Sequence, residues 1–186
     1  MIQLDSNNIS ALIGVLGTLA GVLLGSMLNR LARIGNIKTF QNVLKVKLTE
    51  PDSFGGEIET TKVTERTRSL TIELNFDFYN TSELSPRIAR DIKILIKSKN
   101  KMFKGKLKNE NTRRYNQYTS HADDLLNINL SPKEVLNYNL AFYTQKNFQE
   151  ILDADWFIEY RNDNNRLKRI KINKQLITRK EQEQAV

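Results

Sequence analysis

The chain has 186 residues, and its 29 Lys and Arg outweigh 21 Asp and Glu to give a formal net charge of +8. It has no cysteine, which excludes a disulfide framework, a zinc knuckle, a cysteine nucleophile and lipoprotein processing. No P-loop, G-x-G-x-x-G or G-x-S-x-G sequence is present, so the common phosphate cradle, dinucleotide fingerprint and nucleophile elbow are excluded too.

The first element is apolar. Residues 9–28, ISALIGVLGTLAGVLLGSML, contain no charged side chain. Twenty residues at 1.5 Å rise span about 30 Å, the thickness of a bilayer's hydrocarbon core. A soluble helix of this length carries a polar stripe, whereas the only polar side chains here are Ser10, Thr18 and Ser26. The run reads as a single transmembrane helix behind a short tail, residues 1–8. That tail, MIQLDSNN, lacks the basic leader of a cleaved signal peptide, so the helix is expected to be an uncleaved anchor. Arg30, Arg33 and Lys38 follow it, in a basic juxtamembrane segment at 29–40. Basic flanks stay in the cytoplasm, which predicts an extracytoplasmic N-terminus and a cytoplasmic C-terminal domain in the cell membrane. Gly17, Gly21 and Gly25 are spaced four apart. Such small residues let helix backbones approach closely in lipid, so this face predicts a homo-oligomer formed through the anchor.

Residues 41–176 read as one β domain, with a frayed tail at 177–186. In LTIELNFDFY (70–79), Leu70, Ile72, Leu74, Phe76 and Phe78 alternate with polar residues and Tyr79. Period two predicts a strand with one buried face. NTSELSP is a cluster of turn formers, and Ile92, Ile94 and Ile96 mark a second strand. Further strands are expected at 42–48, 102–108, 125–130 and 135–143. A hairpin is expected where WFIEY and RLKRIKI flank RNDNN. SPKE at 131–134 matches a helix capping box, but Leu136, Tyr138, Leu140 and Phe142 alternate, so the segment after it reads as a strand. One short helix is expected at 147–154, capped by Asn147 with Glu150 and turning Phe148, Ile151 and Leu152 to one face. The fold class is mainly β: an N-terminal transmembrane helix followed by an antiparallel β-sandwich with one short helix.

ISALIGVLGTLAGVLLGSMLNR together with FDFYNTSELSPRIARDIKI resembles membrane-anchored proteins of low-GC Gram-positive bacteria and their phages. In those proteins an N-terminal anchor precedes an Ig-like or C2-like β domain. The resemblance implies a fold and an address; it carries no catalytic motif.

Candidate chemistry is sparse. His121, the one histidine, stands with Asp123 and Asp124 in what reads as a solvated loop. Gly55 and Gly56 lie in an acidic stretch that repels phosphate and reads as a turn. Asp91 follows Arg87 and Arg90 and reads as a surface ion pair. No catalytic, cofactor-binding or metal-binding residue is assigned, and no cofactor is expected.

The positive charge is clustered. Lys93, Lys97, Lys104, Lys106 and Lys108 precede Arg113 and Arg114, and a second cluster holds Arg166, Lys168, Arg169, Lys171 and Lys174. If the 92–98 and 102–108 strands pair, the first set forms one basic patch. Its simplest reading is a solvated face that guards sheet edges. The next is contact with the anionic headgroups of the lipid bilayer. Nucleic acid, stacking on Tyr115 and Tyr118, is disfavoured. The functional expectation is a membrane-anchored, non-catalytic interaction or scaffold module with an unknown protein partner. The alternatives are a tethered enzyme with an unrecognised site and a nucleic-acid-binding domain.

Overall fold

The computed structural model describes residues 6–99, 101–117 and 119–176. Most of the expected tail at 1–8, the whole tail at 177–186, and Tyr118 lie outside the described residues.

Helix α1, Ser6–Arg33, is continuous. Within Ser10–Arg33 an 18-residue window has mean hydropathy 2.1 with none of it buried inside the molecule, so the helix is long and apolar enough to cross a membrane. Thr18 Oγ1 donates to the Gly14 carbonyl at 2.8 Å, so that hydroxyl is satisfied by its own helix. The segment 29–40, expected to be a separate juxtamembrane stretch, is divided. The helix runs to Arg33 and, after three intervening residues, strand β1, Ile37–Pro51, begins.

The remaining strands are β2 Glu57–Thr60, β3 Ser69–Asn80, β4 Arg87–Lys97, β5 Met102–Lys106, β6 Lys108–Tyr115, β7 Ser120–Asp124, β8 Asn127–Leu130, β9 Val135–Thr144, β10 Asp155–Arg161 and β11 Leu167–Lys171. They form two antiparallel sheets. The first, sheet A, has the order β2-β1-β3-β9-β6-β7; the second, sheet B, has the order β11-β10-β4-β5, with β8 also paired to β4. Between them lies a core of alternate side chains. Leu44 and Leu48 come from β1; Leu70, Ile72, Leu74, Phe76 and Phe78 from β3; Ile92, Ile94 and Ile96 from β4; Trp156 and Ile158 from β10. Phe78 meets Tyr138 of β9 edge to face, with ring centroids 5.9 Å apart. Fully burying each large aliphatic or aromatic side chain contributes about 1.5–3 kcal/mol. The alternation in β1, β3, β4 and β9 is therefore what holds the two sheets face to face.

The hairpin of β10 and β11 forms as expected, in register from Phe157 opposite Lys171 to Arg161 opposite Leu167. Helix α2, Phe148–Asp153, also forms and buries Ile151, while Phe148 and Leu152 pack partly against the core. Its expected cap does not form. Asn147 has φ 58°, a left-handed conformation, and no side-chain capping bond, so it turns the chain out of β9 instead of capping the helix. At SPKE the Glu134 carboxylate accepts from the Ser131 N–H at 2.6 Å, and Lys133 has φ 59°. Half of a capping box is thus used to close a turn. The Gly55-Gly56 stretch is a turn too: Asp52 Oδ1 accepts from the Phe54 and Gly56 N–H groups at 2.7 Å each.

Two expectations for 102–124 are corrected. The 102–108 strand is not one element: the chain leaves sheet B after Lys106 and enters sheet A at Lys108. The change happens at Leu107, which is fully buried and whose carbonyl accepts from the Leu125 N–H at 2.8 Å. The SHADD stretch is strand β7 and not a loop.

Candidate functional site

The helix and the sandwich meet at a hydrogen-bonded junction. The last carbonyls of a helix have no partner within it. Here the Ala32 carbonyl accepts from the Glu83 and Leu84 N–H groups at 3.0 and 3.2 Å. Ser82 Oγ donates to the Ala32 and Arg33 carbonyls at 3.3 Å each. Arg87 Nη2 donates to the Arg33 carbonyl at 2.7 Å. Beyond the helix, Thr81 N–H donates to the Asn36 carbonyl at 3.0 Å, and the Asn36 N–H donates to Thr81 Oγ1 at 2.9 Å. Gly35 is required by close approach. A Cβ there would stand 2.4 Å from the Ser82 backbone nitrogen.

The loop that receives the helix is itself built on a buried amide. Asn80, 0% exposed, ends β3. Its Nδ2 donates to the carbonyls of Ser85 at 2.8 Å, Leu130 at 3.2 Å and Ser131 at 2.9 Å. Its Oδ1 accepts from the Ser82 N–H at 2.9 Å, and Ser82 Oγ accepts from the Ser85 N–H at 3.0 Å. Asn80 thus ties the β3–β4 loop to the end of β8.

Beside this junction lies a polar cavity of about 280 Å³, lined by Gly35–Ile37, Arg87, Tyr160, Asn162–Asn164 and Lys168. Arg87 forms one wall. Its Nη1 meets Asp163 at 2.6 Å, and its Nε–H is buried with no hydrogen-bond partner among the described residues. The β10–β11 turn that shapes the opposite wall is closed by the Asn162 side chain, whose Oδ1 accepts from the Arg166 N–H at 2.9 Å. The Lys168 ammonium and the side-chain amides of Asn36 and Asn164 form no hydrogen bond or ion pair among the described residues.

Of the basic residues expected to form one patch, Lys93, Lys97, Lys104 and Lys106 share the outer face of sheet B, while Lys108, Arg113 and Arg114 belong to sheet A, and most of them are paired with carboxylates. Lys93 and Lys106 are cross-strand partners on the outer face of sheet B, with Lys104 opposite Leu95 and Lys97 opposite Met102. Lys104 meets Glu159 of β10 at 3.0 Å, and Arg169 of β11 meets the same carboxylate at 2.8 Å. Burial raises the Glu159 pKa, but the hydrogen bonds from Arg169 and Lys104 prevail and hold it below the usual range. Lys106 and Lys108 flank Asp124 at 2.8 and 2.7 Å, and these bonds, Lys106 first, lower its pKa. Lys108 belongs to the other sheet, so this trio bridges the two. Arg113 is bound by Glu110, and Arg114 lies 3.7 Å from Asp123. Burial and a hydrogen bond to Glu110 push the Tyr143 hydroxyl beside Arg113 up to about 12. Of the expected patch only Lys93 and Lys97 have no ion pair among the described residues.

The other singled-out residues stand apart. Asp91 has φ 53° and lies 3.7 Å from Arg161, not against Arg87 or Arg90 as its neighbours in sequence suggest. His121 is on β7 with its side chain 75% exposed, 3.9 Å from Asp123. Among the described residues no group of His, Asp and Glu is placed to hold a metal. A Cβ added at Gly17, Gly21 or Gly25 meets nothing within 4 Å, so the glycine face is open along its length.

A family model, the YopI Ig-like domain, matches residues 35–173. The chain belongs to that family. The match begins at Gly35, the residue pressed against Ser82, and ends just beyond β11, so the YopI Ig-like domain takes in both sheets and excludes α1. No curated protein and no solved structure matches the chain significantly.

Sequence reasoning missed two features of this YopI Ig-like domain. One is the Asn80–Ser82 hub, whose signal is an Asn-x-Ser directly after an alternating strand. The other is an amide network on the outer face of sheet A. There Asn42 donates to Asn75 and Asp77, both at 2.8 Å. Asn75 donates to Asn137 and Asn139 at 2.9 and 2.7 Å, and Asn139 donates to Asn111 at 2.8 Å. Asn42 reaches the network because a bulge between Gln41 and Val43 inserts it into β1.

Proposed function

We propose that this protein is a single-pass membrane protein that presents an Ig-like module at the cytoplasmic surface of the bilayer, as a non-catalytic interaction scaffold. The observation that carries the reading is the exposed helix. None of the Ser10–Arg33 span is buried against the sandwich, and Leu12, Ile13, Leu19, Val22 and Leu23 are each more than half exposed. Left in water, apolar surface is unfavourable by about 25 cal/mol per Å²; lipid removes that penalty. The junction supports a retained anchor over a removed leader. Cleavage after Arg33 would take away the carbonyls that Ser82, Glu83, Leu84 and Arg87 bind, and cleavage farther upstream would leave them without the helical turns that hold them in place. The proposed orientation rests on Arg30, Arg33 and Lys38 after the uncharged run at 9–28 and on the lack of Lys and Arg in residues 1–8. Self-association through Gly17, Gly21 and Gly25 belongs to the same proposal. The family match supports the module; its protein partner is a matter for crosslinking in cells.

The test uses the lack of native thiols. Full-length chain is expected to remain in the membrane pellet after an alkaline carbonate wash, and recovery in the supernatant would overturn the anchor. Single variants Ser6→Cys and Lys99→Cys, treated in intact cells with an impermeant maleimide, are expected to label at 6 and not at 99. The reverse pattern would overturn the orientation.

A further inference from the structure

We propose that the cavity beside the helix junction binds the phosphate group of a lipid headgroup, with Lys168 as its charged contact and Asn36 and Asn164 as hydrogen-bond donors. The inference rests on the anchored reading of α1.

Position is the first argument. Asn36, in the cavity wall, is three residues beyond Arg33, where the helix ends. Three residues reach at most about 10 Å, and the headgroup layer is roughly 5–8 Å deep on each side of the hydrocarbon core. The apolar run ends at Leu28, and five more helical residues at 1.5 Å rise put Arg33 about 7.5 Å beyond the hydrocarbon core, so the cavity built on residues 35–37 faces the outer edge of the headgroup layer.

Chemistry is the second argument. The Lys168 ammonium offers three donors and each side-chain amide two, and none of these is used within the described chain. Lysines 104, 106, 108 and 171, by contrast, are each held by a carboxylate within 3.0 Å. Asp163 is the one carboxylate in the cavity wall, and Arg87 binds it at 2.6 Å. Its charge is thereby offset, and Lys168 leaves the cavity net positive. Arg33 and Lys38, which bracket the Gly35–Ile37 wall in sequence, add to that potential. Hydrogen bonds in which one partner is charged are shorter and stronger than neutral ones, and one ammonium with two amides suits a single anion.

Full-length chain in a neutral, phosphate-free detergent is titrated with phosphatidylglycerol, phosphatidylcholine, glycerol phosphate and inorganic phosphate. Bound molecules are counted by native mass spectrometry. Phosphatidylglycerol is expected to be retained, Lys168→Gln to weaken it roughly tenfold, and Lys104→Gln to leave it unchanged. Trp156 fluorescence checks that both variants are folded. Retention unaffected by Lys168→Gln, or weakened equally by both variants, would overturn the assignment. If glycerol phosphate or inorganic phosphate binds as tightly as the lipid, the phosphate site stands and its occupant is soluble. A chain released by carbonate removes the anchored reading; a chain that stays in the membrane but ignores Lys168→Gln removes only this inference.

Discussion

Asn80 is the side chain on which the junction depends. It is fully buried, its amide serves three carbonyls, and its oxygen serves one N–H. A buried polar group left without a partner costs about 1–3 kcal/mol. Asn80→Ala strands several and is expected to lower stability by about 3 kcal/mol, read from urea unfolding of the full chain by Trp156 fluorescence. Trp156 suits that measurement. It is the only tryptophan, it is 1% exposed, and its Nε1 donates to the Ile151 carbonyl at 2.6 Å. Glu159 contributes to the acid limb, as Asp124 does. Its folded pKa lies below the ordinary value, so its contribution is fully present above the unfolded pKa of about 4.3. That contribution declines as pH falls toward the folded value. Glu159→Gln is expected to flatten the loss of stability below about pH 5, and an unchanged acid limb in pH-dependent unfolding would assign it elsewhere. None of these partnerships was legible in the chain. Lys104 and Glu159 are 55 positions apart, and charge clustering shows where lysines are dense, not which carboxylates meet them.

At the scale of elements, legibility followed burial. Strand β3 was readable because both its neighbours and the opposing sheet cover one face, and period two survives along its whole length. Strand β2 is mostly exposed, and β7 buries only Ala122, so neither shows an alternation to read. The exchange of sheets at Leu107 was hidden for the opposite reason. Phe103, Gly105 and Leu107 keep the alternation while the hydrogen-bonding partner changes from β4 to β9. Gly105 also marks a close approach, since a Cβ there would press on Phe142. In α1 the glycines have no such duty within the chain. Gly21→Leu adds bulk where the structure has open space, so the sandwich is expected to fold unchanged. Dimerisation in a membrane two-hybrid assay is expected to fall at least several-fold if the glycine face packs against a second copy. An unaltered signal would remove that face from the association.

On the scale of the whole molecule, the apolar helix was more legible than the cavity beside it. An uncharged run as long as the hydrocarbon core of a bilayer is thick is read from composition alone, whatever contacts the rest of the chain makes. The cavity, in contrast, is assembled from the helix exit, the start of β4 and the β10–β11 turn. Lys168 stood out in sequence only as one member of a second basic cluster. Its distinction is that it lines a cavity without an ion pair among the described residues, a property of the folded surface. The pinned junction has one more effect. With Gly35 wedged against Ser82 and the helix's terminal carbonyls clasped by residues 82–87, turning the rod about its own axis must turn the sandwich with it. Should two rods lock through their glycine flanks, the azimuth of each globule is dictated from inside the lipid. Which sides of the paired modules confront one another, and which are left outward for visitors, is then decided by packing some tens of ångströms away.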